Sequence, residues 1–256
     1  MQRLWCGFIV VALAAAISAG NRPAPLTNEE KMFIVDDSLK LTCWLLRDTT
    51  AQNEPLVVLL HQKGETHQSY QQFIDALMEY VGEDPSHRVM PTIISFDLRG
   101  HGKSLFRKGD TLRAESMPNA EYMKIPSDIR HVLGELVGDP TLGVDTSNVI
   151  VVGASIGANS AAMLTEMMSG IRKVAMLSPG KSYHSLEPMH AVEACRGKMM
   201  IFASKGDVYS EQSSKFIQNL NKDRCSLAWF PGDSHGTAII NGDKKAMRQL
   251  IEWVMQ

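Results

Sequence analysis

Residues 148–162, which read NVIVVGASIGANSAA, indicate the fold of this chain. The apolar run at 148–152 predicts a buried strand, and the small residues after the motif predict the start of a helix. A serine, Ser155, stands between them with Gly153 and Gly157 two residues to either side, the pattern of a strand that turns sharply into a helix. Such a turn strains the serine backbone and leaves no room for larger neighbours. We therefore expect the Ser155 hydroxyl to project at the carboxyl end of a strand.

The same alternation of apolar runs and amphipathic stretches continues on both sides of this motif. Buried parallel strands joined by crossover helices have this texture. The predicted strands are 56–61, 92–97, 148–153, 173–177, 199–204 and 226–230, and the predicted helices are 68–81, 127–136, 157–168, 211–220 and 244–255. Ahead of them, residues 32–46 alternate apolar and polar around Asp36-Asp37-Ser38 and predict an antiparallel hairpin.

This order of elements predicts an α/β fold. We expect a mostly parallel sheet of about eight strands, with helices on both faces and ligands bound at the carboxyl ends of the strands. Residues 179–197 are too few for a separate lid, so we expect no large cap domain.

Two further polar residues, Asp207 and His235, each follow one of the last two predicted strands. A serine hydroxyl needs a base to remove its proton, and the base needs a carboxylate to orient it. Ser155, Asp207 and His235 therefore form a predicted catalytic triad, in the chain order typical of a serine at a strand-to-helix turn. Asp233 is the alternative acid, but it lies only two residues from His235, which makes its approach to the far ring nitrogen awkward.

Acyl transfer also needs two backbone N–H groups that stabilise an oxyanion. One is expected from Ile156, directly after the serine, and the other from Gln62 or Lys63 in the loop after the first parallel strand. The sequence leaves the choice between these two open. His61, at the end of that strand, is expected to brace the loop by hydrogen bonding.

These motifs resemble those of the α/β-hydrolase superfamily over residues 32–256, in particular its small lidless members similar to dienelactone hydrolases. Residues 97–104, DLRGHGKS, also match a segment common in that superfamily. The resemblance implies that Asp97 and Arg99 stabilise loops and that the glycines allow the turn. His101, among those glycines, is expected to be structural.

The predicted function is hydrolysis of a carboxylic ester or thioester of a small molecule through an acyl-enzyme on Ser155. The chain departs from the resemblance at Gln62, where glycine is usual, and at the serine, since dienelactone hydrolases use cysteine. The alternative is a non-catalytic exported module that binds a small molecule or a protein and retains the hydrolase fold.

Composition limits the partners of the chain. The net charge is −2, with lysines and arginines scattered along the sequence, which gives no support to nucleic-acid binding. No metal or organic cofactor is implied, because neither a metal-spaced His/Cys cluster nor a phosphate-cradling loop appears. The sequence leaves the oligomeric state open.

Residues 1–20 predict a secretory signal peptide, and residues 21–31 a linker. Arg3 gives a positive start, residues 8–17 are apolar, and small residues follow at 18–20. The alternative is a membrane anchor, but a membrane span needs about 20 apolar residues. We expect a periplasmic or extracellular protein without a stable membrane span in its mature form.

Export would leave three cysteines, Cys43, Cys195 and Cys225, in an oxidising compartment. Cys195 and Cys225 each precede a predicted strand, and neighbouring parallel strands would bring them side by side. We expect either a disulfide between these two cysteines or two buried thiols.

Overall fold

The computed structural model describes residues 26–35, 38–49, 54–83, 90–139, 142, 144 and 146–256. The predicted signal peptide 1–20 and the first part of the predicted linker, 21–25, lie outside the described residues. So do Asp36 and Asp37 of the predicted hairpin turn.

The described strands are β1 (Leu26–Ile34), β2 (Lys40–Asp48), β3 (Leu56–Leu60), β4 (Thr92–Phe96), β5 (Phe106–Arg107), β6 (Asp110–Thr111), β7 (Val149–Ala154), β8 (Ile171–Leu177), β9 (Lys198–Ser204) and β10 (Cys225–Phe230). Eight of them form one sheet in the order β1-β2-β4-β3-β7-β8-β9-β10, and β5 and β6 form a separate small hairpin. Within the large sheet, β1–β2 and β2–β4 pair antiparallel and the other neighbours pair parallel. The predicted sheet and its antiparallel N-terminal hairpin are confirmed.

The described α-helices are α1 (Gln71–Glu83), α2 (Asn119–Tyr122), α3 (Ile125–Gly138), α4 (Ile156–Leu164), α5 (Met189–Ala194), α6 (Val208–Leu220), α7 (Ala238–Gly242) and α8 (Lys244–Met255). A short 3-10 helix, His67–Tyr70, precedes α1. Among the described residues, no helix combines the length and apolar character that a membrane crossing requires.

The central strands are apolar because helices cover the sheet on both sides. Along β3, Leu56, Val58 and Leu60 belong to one buried cluster, together with residues of α3, α4, α5 and α6. Val57 and Leu59 point the other way, into a second cluster with α1, α7 and α8. A strand buried on both faces has no solvent-exposed face that polar residues could occupy, which explains the unbroken apolar runs in the sequence.

The predicted linker 21–31 is wrong over its last six positions, 26–31, because β1 begins at Leu26. The strand pairs with β2 along its whole length, from Leu26 opposite Asp48 to Ile34 opposite Lys40. It lies at the edge of the sheet and its side chains are half-buried or exposed, so charged residues are tolerated there. The polar composition of β1 resembles that of a linker, which is why the sequence predicts one there.

Of the two expected states of Cys195 and Cys225, the structure has the two buried free thiols and not the disulfide. β9 and β10 are neighbours as expected, but Cys225 pairs opposite Met199 while Cys195 lies at the end of α5. Burial raises the pKa of the Cys225 thiol to about 12. These cysteines therefore act as small apolar core residues.

A buried ion pair anchors the loop after β4. The Arg99 side chain is fully buried, and its Nε and Nη2 atoms each donate to the Asp128 carboxylate of α3 at 2.8 Å. Its Nη1 atom donates to Glu121 of α2 at 2.6 Å. Arg99 thus joins the loop to both helices, the loop-stabilising role that the resemblance implies.

We expect Asp128→Ala to lower the free energy of unfolding by about 3 kcal/mol, because it leaves the buried Arg99 guanidinium short of a counter-charge. Urea denaturation measures this change. The matched control is Asp110→Ala, which removes an exposed carboxylate paired with Arg107. Its urea midpoint should stay that of the wild type, and equal effects of both substitutions would contradict the importance of the buried pair.

Candidate active site

Ser155 occupies a strained backbone position between β7 and α4. Its φ and ψ angles are 52° and −113°, in a region that residues with a Cβ rarely adopt. The Ser155 N–H donates to the Leu177 carbonyl at 2.9 Å, and its own carbonyl accepts from Asn159 N at 3.1 Å. Hydrogen bonds to β8 and to α4 therefore hold the strained residue on both sides.

Two glycines allow the sharp turn around this serine. A Cβ on Gly153 would lie 2.1 Å from the carbonyl oxygen of Gly157, and a Cβ on Gly157 would lie 2.2 Å from that of Leu60. Both obstacles are backbone atoms, which cannot swing aside as a flexible side chain can. The two positions therefore require glycine for packing of α4 against β7 and β3.

The structure brings Asp207 and His235 together at the same edge of the sheet. Asp207 follows β9, His235 follows β10, and Asp207 Oδ2 lies 2.6 Å from His235 Nδ1. A carboxylate only accepts hydrogen bonds, so Nδ1 carries a proton, and in the neutral ring Nε2 presents a lone pair. His235 pairs with Asp207 and not with the alternative acid, Asp233, whose backbone packs beside Gly206.

Ser155 and His235 both contact Tyr183, a residue of the loop after β8. The Tyr183 hydroxyl faces the Ser155 side chain and lies 3.5 Å from the Ser178 carbonyl oxygen, and the Tyr183 ring is perpendicular to the His235 ring with centroids 6.2 Å apart. Within the described residues, no hydrogen bond joins Ser155 to His235 directly. Such bonds are often long in ligand-free enzymes and shorten once substrate is bound.

The loop after β3 is held by the neutral side chain of His61. The Leu98 N–H donates to His61 Nε2 at 2.9 Å, so the ring proton is on Nδ1, which donates to the Gln62 carbonyl at 2.7 Å. Burial lowers the pKa of His61 to about 3, which keeps the ring uncharged. Because the Gln62–Lys63 peptide is trans, fixing the Gln62 carbonyl directs the Lys63 N–H the opposite way.

The Gln62 side chain links this loop to the loop that carries His235. Its Oε1 atom accepts from both the backbone N and the Oγ1 of Thr237, each at 3.1 Å. Gly236, at φ 59°, has no Cβ, and one placed there would lie 2.6 Å from Gln62 Oε1. Gln62 therefore replaces the usual glycine with a side chain that has a specific partner.

The Lys63 side chain extends to the loop after β8. Its ammonium lies 3.2 Å from His184 Nε2 and 5.6 Å from the centroid of the Tyr122 ring. Tyr122 and His184 stack with centroids 4.0 Å apart. Residues 105–124, which contain α2, thus reach the site through Tyr122.

Comparison with solved structures finds the same architecture in hydrolases. An esterase from Pyrococcus furiosus aligns with a TM-score of 0.66 and 15% identity, covering 94% of this chain and 98% of that one. A dienelactone hydrolase from Anabaena variabilis aligns with a TM-score of 0.65 and 13% identity, covering 89% and 95%. The chain has the α/β-hydrolase fold. The 2,6-dihydroxy-pseudo-oxynicotine hydrolase shares it at a TM-score of 0.69 and 12% identity, over 89% of this chain and 67% of that one.

Curated proteins also show a weak similarity in sequence. Protein phosphatase methylesterase 1 of Mus musculus is 25% identical over 205 residues, and that of Bos taurus is 26% identical over 204 residues. Each alignment covers 77% of this chain and 47% of the relative, so the chain spans about half the length of the curated relatives it matches. No protein-family model matches the chain.

Sequence reasoning missed Tyr183, Ser178 and Asn159 at this site of the α/β-hydrolase fold. Ser178 Oγ accepts from the Gly236 N–H at 3.0 Å and so supports the His235 loop. Their position in the sequence could have indicated two of them, because Ser178 and Tyr183 follow β8, the strand adjacent to β7. Which of their side chains face the serine depends on loop conformation, which periodicity does not predict.

We expect Gly153→Ala to destabilise the fold by about 1–3 kcal/mol, the usual cost of overpacking a dense region, because the new methyl group meets the Gly157 carbonyl. The matched control is Gly134→Ala on the exposed face of α3, where a Cβ meets nothing within 4 Å. That substitution should stabilise the protein slightly, since alanine favours helix. Thermal and urea unfolding measure both variants, and a tolerated Gly153→Ala would contradict this account of the turn.

Proposed function

We propose that the chain is a serine hydrolase that cleaves a carboxylic ester or thioester of a small molecule through an acyl-enzyme on Ser155. His235 acts as the general base and Asp207 orients it. The N–H groups of Ile156 and Lys63 stabilise the oxyanion.

The backbone of Ser155 carries this proposal. A residue with a Cβ at φ 52° raises the free energy of the folded state, and such strain is found mainly where function requires it. The strained residue follows β7 at the carboxyl edge of the sheet, the edge that also carries the Asp207–His235 pair, which supports Ser155 as the nucleophile. A non-catalytic binding module does not require this combination.

In the acylation step, His235 Nε2 takes the proton of the Ser155 hydroxyl while Oγ attacks the carbonyl carbon of the substrate. The carbonyl electron pair moves onto oxygen, where N–H groups hold the negative charge. The Ile156 N–H belongs to the first turn of α4 and has no partner inside the helix. The Lys63 N–H is directed by the His61–Gln62 hydrogen bond.

The tetrahedral intermediate then collapses, and the alcohol or thiol leaves with the proton held by His235. In deacylation, a water molecule takes the place of the leaving group and gives a proton to His235 Nε2. The hydroxide attacks the acyl carbon, and collapse of the second intermediate returns the proton to Ser155 and releases the acid. Asp207 stabilises the imidazolium in both half-reactions.

The comparisons support an ester as the scissile bond. Structural neighbours include an esterase and a dienelactone hydrolase, and the curated relatives are named methylesterases. The loop after β8 is followed only by the short helix α5 before β9, which favours a substrate reached from solvent without a large lid.

A fluorophosphonate probe, which reacts with activated serines, tests the proposal. We expect labelling of the wild type and none of Ser155→Ala, because the nucleophile is gone. His235→Ala should lose labelling as well, since the hydroxyl then has no base. In-gel detection after equal exposure measures the result, and an unlabelled wild type would favour the non-catalytic binding module.

The two aspartates provide a matched pair of variants for the same assay. Asp207→Asn should slow labelling by about 10⁴-fold, the effect of losing the carboxylate that fixes the histidine tautomer. Asp233→Asn should label at the wild-type rate. The opposite order would assign the acid role to Asp233.

We also propose that residues 1–20 direct export and are removed from the mature protein. The support is the sequence pattern of those residues. Expression in a bacterial host followed by mass spectrometry of the intact protein should give a mature chain that begins close to residue 21. Retention of residues 1–20 in the membrane fraction would support the anchor instead.

A further inference from the structure

The loop after β8 presents Tyr183 to the nucleophile and the base. Its hydroxyl faces the Ser155 side chain, and its ring stands perpendicular to that of His235 with the two ring centroids 6.2 Å apart. The mechanism above uses neither the hydroxyl nor the ring. The phenol is therefore an unassigned hydrogen-bond donor beside the reacting atoms.

A tight turn fixes the position of Tyr183. His184 and Ser185 have φ angles of 51° and 66°, as in the two-residue type I′ turn that joins paired strands. Tyr183 N donates to the Leu186 carbonyl at 3.2 Å, and Leu186 N donates to the Tyr183 carbonyl at 2.9 Å. Two non-glycine residues in this conformation mark a turn that its surroundings stabilise.

The helix that begins after Ser155 anchors this turn. Asn159 of α4 is fully buried, and its Nδ2 donates to the Gly180 carbonyl at 2.9 Å and to the Leu186 carbonyl at 2.7 Å. Its Oδ1 accepts from Gly180 N at 3.1 Å. Because the same helix follows Ser155, the loop and the nucleophile share one rigid support.

Neighbouring residues hold the Tyr183 ring in place. A Cβ on Gly180 would lie 2.5 Å from the ring, so the ring packs closely against this glycine. The Tyr209 hydroxyl accepts from Ser182 N at 3.0 Å and donates to the Ser182 carbonyl at 2.9 Å, which fixes the preceding residue. The Tyr183 hydroxyl is thus preorganised.

The phenol acts as a donor and not as a base. Burial, and then the negative charge of Asp207, raise the pKa of Tyr183 well above its ordinary value, so the hydroxyl keeps its proton. Its nearest backbone acceptor, the Ser178 carbonyl, is 3.5 Å away, at the limit of a hydrogen bond. The proton is therefore available to a closer acceptor on a substrate.

The leaving group must lie within reach of both Ser155 and His235, the two residues that Tyr183 approaches. Its oxygen is bonded to the carbon that Ser155 Oγ attacks, and it must also reach His235 Nε2 to receive a proton. The oxyanion points elsewhere, towards the N–H groups of Ile156 and Lys63. We propose, on the basis of the proposed function, that Tyr183 is a catalytic residue that donates a hydrogen bond to the departing alcohol oxygen.

The step is balanced without any further reactant. The bond between the carbonyl carbon and the alcohol oxygen breaks, and its electron pair stays on that oxygen. The Nε2 proton of His235 transfers to the oxygen, while Tyr183 keeps its own proton and stabilises the developing negative charge. The carbonyl re-forms on the acyl-enzyme.

Two esters with one acyl group and different alcohols test this role. An aliphatic alcohol leaves poorly and gains from the hydrogen bond, whereas a nitrophenol leaves readily without it. Tyr183→Phe keeps the ring packing and removes only the hydroxyl. We expect kcat/KM for the alkyl ester to fall about 10- to 100-fold, as for a hydrogen bond to a charged oxygen, and kcat/KM for the nitrophenyl ester to stay near wild type.

The matched control is Tyr80→Phe on α1, which should leave kcat/KM for both esters unchanged. Melting temperatures of the two variants should match that of the wild type. An equal loss on both esters would overturn the leaving-group role and place the hydroxyl at the oxyanion or in the fold. An unchanged rate on the alkyl ester would overturn it too. A wild type that cleaves neither ester would instead overturn the proposed function, and this inference with it.

Discussion

The close contact of three backbone segments at Gly153 and Gly157 is the constraint on which the site depends. Helix α4 approaches β7 and β3 so closely that main-chain carbonyls occupy the space of any Cβ. This contact fixes the start of α4 relative to the central strands, and with it the strained residue between them. Dense packing resists deformation, so Ser155 cannot relax without opening the centre of the sheet.

Polar side chains extend this fixed geometry to the surrounding loops. Gln62 joins the loop after β3 to that of His235, Ser178 joins the loop after β8 to the same segment, and Asn159 joins α4 to the loop after β8. Each link is a hydrogen bond between a side chain and main-chain groups. Donors and acceptors placed before the reaction stabilise charge without reorganisation, which is why such links matter for catalysis.

The elements that sequence reasoning predicted are those that local patterns determine. Buried strands appear in the sequence as apolar runs. The turn after β7 has a recognisable motif because any side chain at Gly153 or Gly157 would collide with the backbone. The sequence predicts the start of the edge strand β1 at residue 32, six residues after its observed start at Leu26. An exposed edge strand accepts the same charged residues as a linker, so its first residues carry no distinguishing pattern. Tyr183 was missed since its orientation depends on a turn stabilised by Asn159, a residue distant in sequence.

The departure at Gln62 shows how a local difference can be compensated. A glycine-rich loop reaches its conformation through backbone freedom, whereas this chain uses hydrogen bonds from His61 to the Gln62 carbonyl and from Thr237 to the Gln62 side chain. The Gln62 side chain fits because the facing residue, Gly236, has no Cβ to occupy the same space. The glycine that this contact requires lies in the facing loop, at position 236, and not at position 62. The hydrogen bond from His61 to the Gln62 carbonyl still fixes the direction of the Lys63 N–H.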